Sequence, residues 1–323
     1  MACPAPDHLR EGRGTSAAEG CGGVPVIWVT GCLGMLGRQV CRALRDAGIA
    51  WRGTDRDVDI SDEQAVAQFC RSFPAEWIIN CAAYTAVDRA EAEQHEAMRV
   101  NADGPAALAK AARNIDARLI HFSTDYVFDG ALTRPYREDD EPAPLSAYGR
   151  SKLLGEEAVA NLCERYYIFR LSWLYGVFGG GFPGRVVRLL RAQPSVEVVD
   201  DQTASPTACA PLARFLAQLV ARDPAAYGLY HYCDRGAVSR FGLACAAAEE
   251  AERRGIIPSG RTVLPVTTEQ YARRAGLPCA ARPSFSCLDT RRAEERLGCV
   301  FSPWRENLSA FFDEWQQEAR DDL

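Results

Sequence analysis

No stretch of the 323 residues approaches the roughly 18–20 consecutive apolar residues of a membrane span. The first two dozen residues are rich in Gly, Ala, Pro and charge and hold no apolar block like a signal peptide's core. An excess of positive charge is lacking too. The formal net charge is −6, which argues against a general electrostatic grip on nucleic acid and leaves any anionic ligand to local arginines and helix N-termini. Cys-x-x-Cys pairs are absent, although the chain carries 13 cysteines. The count is odd, and Cys32, Cys41, Cys81, Cys163 and Cys245 lie in apolar or Ala-rich stretches. They read as reduced thiols acting as small hydrophobes in a cytoplasmic protein, not as a disulfide or zinc framework. The histidines are few: His8, His95, His121 and His231 show no metal-ligand spacing and read as structural. Internal repeats are absent as well.

What is present is ordinary globular material. An apolar share of 47% and a charged share of 25% suffice for a full core, and the length suits one large α/β unit or two domains sharing an interface. Residues 1–24 read as a loosely ordered extension, or as a start placed too far upstream. Order begins with the β-branched and aromatic run Val24 to Thr30. A helix is predicted over Met35–Ala47, with Leu36, Val40, Cys41 and Leu44 on one face and Gly48 closing it. Strand Ile49–Thr54, a helix from Ser61 to about Phe73, strand Trp77–Cys81 and a mostly helical Ala90–Ala112 follow. Strand Arg118–Ser123, helix Tyr148–Leu162 and strand Tyr166–Ser172 continue the rhythm. Strands alternating with helices, without hairpin signals, predict an α/β fold with a doubly wound parallel sheet of Rossmann type over residues 25–175. After Tyr175, Gly179-Gly180-Gly181 and scattered prolines predict a smaller C-terminal substrate lobe, residues 176–323, with segments returning to the first domain. Pro303 to Trp315 reads as an amphipathic helix packed on the body.

Gly31, Gly34 and Gly37 stand between the first strand and its amphipathic helix. One allows a tight turn, one lets backbone approach a pyrophosphate, and one lets helix lie close on strand. The helix N-terminus then offers unpaired N–H groups and partial positive charge to phosphates. Asp55, at the end of the second strand, is placed to accept from an adenosine ribose diol, favouring NAD. Arg56 and Arg38 could each hold a 2′-phosphate, favouring NADP, or Arg56 could be a solvated loop charge. NADPH and NADH both stay open on these residues.

Tyr148 and Lys152 are one helical turn apart, so both leave the same face. A free phenol, with a pKa of about 10, is a poor acid at neutral pH, and a nearby ammonium is expected to lower it. The lysine can also hold the nicotinamide ribose. Thr124, in the run Ser123-Thr124-Asp125, is placed to hydrogen-bond a substrate carbonyl. This constellation predicts hydride transfer with Tyr148 as proton donor.

These residues, with Gly31 to Gly37, Asn80 to Asp88, Ser123 to Phe128, Arg170 to Gly176, Asp200-Asp201-Gln202, Ser205-Pro206-Thr207, Arg282-Pro283 and Leu288-Asp289-Thr290, resemble the extended short-chain dehydrogenase/reductases. Within them the chain resembles the dTDP-4-dehydrorhamnose reductase family from Val26 onward. The resemblance implies reduction of a 4-keto group on a nucleotide-activated 6-deoxyhexose, with NADPH as cofactor and NADH possible. It implies cofactor contacts from Gly31, Cys32, Gly34, Met35, Leu36, Gly37, Asp55, Arg56, Asp59 and Ile60. Cys81, Ala82, Ala83, Tyr84, Asn101, Tyr148 and Lys152 complete that set, with Asn101 supporting the lysine through water. It implies a sugar pocket lined by Thr85, Val87, Tyr126 and Trp173, although Trp173 reads equally well as core.

Two departures stand out. Gly181-Phe182-Pro183 replaces the Asn-Phe-Val that family members often carry beside the nucleotide diphosphate, which leaves the nucleotide grip open. Gln39 stands where some relatives place an acid on a dimer-bridging magnesium, so no metal is expected, and the partner state is read as monomer or homodimer. The family also contains the β regulatory subunit of methionine adenosyltransferase. A cofactor-binding regulatory subunit is therefore a second reading, and a reductase or epimerase of another nucleotide sugar a third. No nucleic acid or membrane partner is expected.

Overall fold

The computed structural model describes residues 26–275 and 279–321; the expected extension over residues 1–24 lies outside them. Strand β1 (Ile27–Thr30) is buried throughout, and Gly31 turns the chain into α1 (Met35–Asp46), which buries Leu36, Val40, Cys41 and Leu44 at helical spacing. Strand β2 (Trp51–Thr54) leads to α2 (Glu63–Ser72), capped by Asp62 accepting from the N–H groups of Gln64 and Ala65. Strand β3 (Trp77–Asn80) precedes the short α3 (Gln94–Met98), a π-helical turn at Arg99–Asp103, and α4 (Gly104–Asn114). Then come β4 (Arg118–Thr124), α5 (Ala147–Leu162), capped by Ser146, and β5 (Tyr166–Leu171).

Beyond β5 the elements are shorter and more mixed. They are β6 (Leu174–Tyr175), α6 (Gly181–Ala192), β7 (Ser195–Val199), β8 (Thr203–Ala204), β9 (Thr207–Ala208) and α7 (Cys209–Arg222). Strands β10 (Gly228–His231) and β11 (Val238–Ser239), helix α8 (Arg240–Arg253), β12 (Thr262–Val266), α9 (Thr268–Ala275), α10 (Arg291–Leu297) and α11 (Trp304–Asp321) complete them.

The main sheet has six strands in the order β10-β5-β4-β3-β1-β2, every pairing parallel. This is the doubly wound α/β arrangement, and α7 and β10, from late in the chain, join it. One face packs Ile27, Val29, Leu36, Leu44, Tyr167 and Phe169 with Leu212, Leu216 and Tyr230. The other packs Trp28, Ile60, Val66, Phe69 and Ile78 with Leu108, Leu119 and Ile168. A separate core of Tyr175, Val187, Leu190, Leu243, Ala247, Leu308, Phe311 and Phe312 sits among β6, α6, α8 and α11. Helix α11 also reaches back to α1: Arg42 pairs with Glu314 and Glu318, and Gln39 Nε2 lies 3.4 Å from Glu314 Oε1. No helix among the described residues is long and apolar enough to cross a membrane.

Strand order reverses between β1 and β3, and ligands of open α/β sheets bind where the C-terminal strand ends part in this way. Their ends are tied together: Thr30 Oγ1 donates to Asn80 Oδ1 at 2.7 Å, and Asn80 Nδ2 lies 3.1 Å from His121 Nδ1 on β4. His121 is fully buried, and burial with the charge of Lys152 pushes its imidazole well below the usual range. It therefore stays neutral and structural.

Candidate active site

The glycine turn is built for close backbone approach. Gly31 has φ +62, and a Cβ there would meet Ala82 N at 2.6 Å. A Cβ on Gly37 would run into the carbonyl oxygen of Gly31 and lie 2.8 Å from Cys32 Cα. No other residue fits at either position, and the uncapped start of α1 faces the crevice. Such a cradle fits a dinucleotide pyrophosphate, which α1's free N–H groups would hold. Leu33 N–H donates to Asp55 Oδ2 at 3.2 Å, so the end of β2 closes on the turn. Arg56 is exposed beside it. Arg38 lies over the Phe178 ring at 5.6 Å and lines a cavity of about 400 Å³ with Leu33, Val177, Gly179 and Trp315. That cavity flanks the turn and is not lined by Tyr148.

The remaining predicted cofactor residues divide by how they could contact a ligand. Leu36 and Ile60 are buried in core clusters, and Asp59 is engaged by Ser61 and by Arg99 at 2.6 Å. Leu36 and Ile60 therefore turn their side chains into the protein, whereas Asp59 stays exposed. Cys32, Met35, Cys81 and Ala82 are partly buried around the turn, and Gly34 and Ala83 are exposed. Asn101 is buried and held by direct hydrogen bonds. Its amide donates to the Tyr84 carbonyl at 2.9 Å and to Ser151 Oγ at 3.0 Å, and its oxygen accepts from Tyr84 N–H at 2.9 Å. The π-helical turn presents it to Tyr84, so its direct partners are the Tyr84 peptide and Ser151, with Lys152 not among them.

Thr124 ends β4, and Tyr148 lies in the first turn of α5. Thr124 lies close enough to the Tyr148 hydroxyl to pull its pKa down, while its own hydroxyl donates to Asp125 Oδ1 at 3.1 Å, and the Tyr126 ring stands edge-on to Tyr148 at 6.1 Å. Lys152 Nζ donates to the carbonyl of Phe122 at 2.6 Å. Burial pushes this ammonium down to about 8, against the opposing charge of Glu156. The phenol moves the other way from the sequence expectation. Burial raises Tyr148, the neighbouring Asp125 and Tyr126 raise it further, and only the nearby Thr124 pulls it down. Desolvation is the largest cause, and the Lys152 ammonium is directed at the Phe122 carbonyl.

Beneath this pair lies Asp125, which sequence reading passed over. Its carboxylate accepts from Thr124 Oγ1 at 3.1 Å, Ser172 Oγ at 3.0 Å and Ser286 Oγ at 2.5 Å. Burial raises it to about 6 despite these donors. Loop 81–88 borders the site and carries Thr85, exposed, and Val87, half-buried. Asp88 at its end accepts from Arg282 Nη2 at 2.8 Å and from Ala280 N–H at 3.0 Å. Two distant motifs, Thr-Ala-Val-Asp and Arg-Pro, therefore meet here. Trp173 is half-buried with φ +43, a strained value for a bulky side chain. The Arg240 guanidinium lies over its ring.

Fold and site together define a class: a nicotinamide-dependent oxidoreductase of the short-chain type. The family model described as RmlD substrate binding domain matches residues 26–317. The chain is 41% identical over 289 residues to dTDP-4-dehydrorhamnose reductase of Streptomyces griseus, covering 88% of this chain and 92% of that protein. The crystal structure of the dTDP-4-dehydrorhamnose reductase of Clostridium acetobutylicum superposes with a TM-score of 0.83 at 36% identity, covering 90% of this chain and 99% of that one. The Bacillus anthracis dTDP-4-dehydrorhamnose reductase, solved in complex with NADP, gives 0.82 at 35% identity over 90% of this chain and 99% of its own. The chain belongs to the dTDP-4-dehydrorhamnose reductase family, whose members are NAD(P)H-dependent oxidoreductases.

Proposed function

We propose that this protein reduces the 4-keto group of dTDP-4-dehydro-6-deoxy-L-mannose (dTDP-4-dehydrorhamnose), giving dTDP-L-rhamnose. NADPH, when bound, supplies the hydride to C4. The observation that carries the reading is the nearness of Tyr148 to Thr124 at the C-terminal end of β4, with Lys152 one turn along α5. Tyr148 stays a neutral phenol at working pH, because burial holds its proton firmly. The protonated form is the one a reduction needs, and Tyr148 is placed to give its proton to the C4 oxygen as negative charge develops there. Thr124 is placed to hydrogen-bond the C4 oxygen, and the edge-on Tyr126 ring limits the swing of the phenol. The ammonium of Lys152, anchored on Phe122, favours negative charge nearby and is placed to hold the nicotinamide ribose. Gly31 to Gly37 and α1 hold the pyrophosphate. Residues 176–323 outside the main sheet form the substrate lobe, with Trp173, Thr85 and Val87 against the sugar. The unit works in the cytoplasm as a monomer or homodimer.

The test is NADPH oxidation by the purified protein with dTDP-4-dehydrorhamnose, the product being identified by NMR. Formation of dTDP-L-rhamnose is expected. Tight NADPH binding without oxidation over a panel of 4-keto-6-deoxy nucleotide sugars would overturn the reading in favour of a regulatory subunit, and another product configuration would point to a different nucleotide sugar.

A further inference from the structure

Arg240 opens α8 with its backbone pinned. Its N–H donates to the Gln202 carbonyl at 2.9 Å, and the preceding Ser239 caps the helix through Gly242 N–H at 3.0 Å while bonding Asp200 Oδ1 at 2.5 Å. Its side chain leaves this anchor and lies against two aromatic rings. The guanidinium is 4.5 Å from the centre of Trp173 and 4.7 Å from that of Phe182. Between them the rings fix its position and remove water from it. Yet among the described residues no acceptor meets it: Nε is buried without a hydrogen-bond partner, and no ion pair involves the side chain. The carboxylate that feels its charge is Asp125, already taken by Thr124, Ser172 and Ser286. A preorganised, partly desolvated cation without an acceptor is costly unless an anion completes it.

The surroundings say where that anion sits. Trp173 follows β5 beside Ser172, which bonds Asp125 next to Thr124. Phe182 stands in the first turn of the 12-residue α6, whose N-terminus has no side-chain cap. Arg240 thus lies between the reacting end of the site and a helix start with free N–H groups. Resting on the nucleotide-sugar reading above, we propose that Arg240 binds the diphosphate of the substrate, one phosphate removed from the sugar that Tyr148 protonates. Trp173 and Phe182 hold its guanidinium in the binding position. A planar fork presenting several donors suits two phosphate oxygens better than an ammonium does.

The test compares nucleoside diphosphates with the bare nucleoside on the full-length, NADPH-loaded protein by calorimetry. Arg240→Met keeps apolar contact with both rings and removes the charge. It should weaken dTDP and UDP binding by about 10- to 100-fold, while thymidine and NADPH bind as in the parent. Arg240→Lys should lie between, since it contributes one point charge. If the Met variant, folded by circular dichroism and thermal melting, binds dTDP within twofold of the parent, the proposal is overturned. Equal weakening of thymidine and dTDP overturns it too, because Arg240 then only props the two rings. A parent protein that reduces the sugar nucleotide while the variant is unaffected removes Arg240 alone. A parent that binds no nucleoside diphosphate removes the functional reading with it.

Discussion

The ammonium of Lys152 rests on the main-chain carbonyl of Phe122, 2.6 Å away, so the lysine is fixed to β4, two residues before Thr124 and one helical turn beyond Tyr148. Burial holds it near 8. The chain has only two lysines, Lys110 and Lys152, which makes this directly measurable. In a Lys110→Arg variant with isotope-labelled lysine, the single NMR signal should titrate near 8. A midpoint above 10 would show the amine in water and off the carbonyl.

Tyr148→Phe should lower kcat by roughly 10²–10⁴ through loss of the proton donor while NADPH affinity stays unchanged. Steady-state kinetics with a cofactor titration check both halves. A variant with near-parental kcat would take Tyr148 out of the mechanism.

Lys152→Met should act on both quantities, weakening NADPH binding and lowering kcat, because one side chain serves the ribose and the charge near the phenol. Stopped-flow binding combined with turnover separates the two. A loss confined to kcat would exclude the ribose contact.

Asp125 gives a pH prediction whose sign is fixed by linkage. Its folded pKa is raised from 3.8 to about 6, so its protonated form stabilises the fold below about 4, and this contribution is lost as pH rises through about 6. Asp125→Asn should therefore gain stability relative to the parent at pH 7.5, by roughly 1–3 kcal/mol. The gain should shrink toward pH 4. Urea melts of both proteins at the two pH values check it; a difference that is flat with pH would refute it.

Arg170 and Glu156 form a buried bidentate pair between β5 and α5, with contacts of 2.9 and 2.7 Å. Arg170→Met leaves a carboxylate buried alone and should cost about 3–5 kcal/mol. Arg170→Met with Glu156→Leu should recover most of that, because no unpaired charge remains. The urea midpoints of the two variants decide the matter.

Much of the first half was legible because local pattern and tertiary role coincide there. Leu36, Val40, Cys41 and Leu44 repeat at helical spacing and are all buried on α1, together with Gly37 and Gln39. Gly31 and Gly37 occupy positions where any Cβ collides. What was illegible depends on partners distant in sequence. The π-helical turn at Arg99–Asp103 has no local signature; it brings Asn101 onto the Tyr84 peptide 17 residues earlier. Asp125 looked like part of a strand-end motif, and its three hydroxyl partners include Ser286, 161 residues away. The direction of Tyr148's shift was missed because spacing along a helix says nothing of the burial that raises the phenol or of the Phe122 carbonyl that takes the Lys152 ammonium. Nothing local singles out Arg240, since Trp173 and Phe182 come to it only through the fold.

Strand β10 pairs with β5 through Gly228–His231, which sets a timetable for the growing chain. When the ribosome has released β5, the sheet still ends in an open row of peptide groups flanked by Tyr167 and Phe169, the kind of border that recruits a neighbouring polypeptide. That border stays open until about sixty more residues have emerged, and Tyr175 waits longer still for Phe311, its partner in α11. A nascent chain halted in this interval is a sticky half-product. Splitting the gene at the apparent end of the nucleotide-binding half would make that half-product permanent.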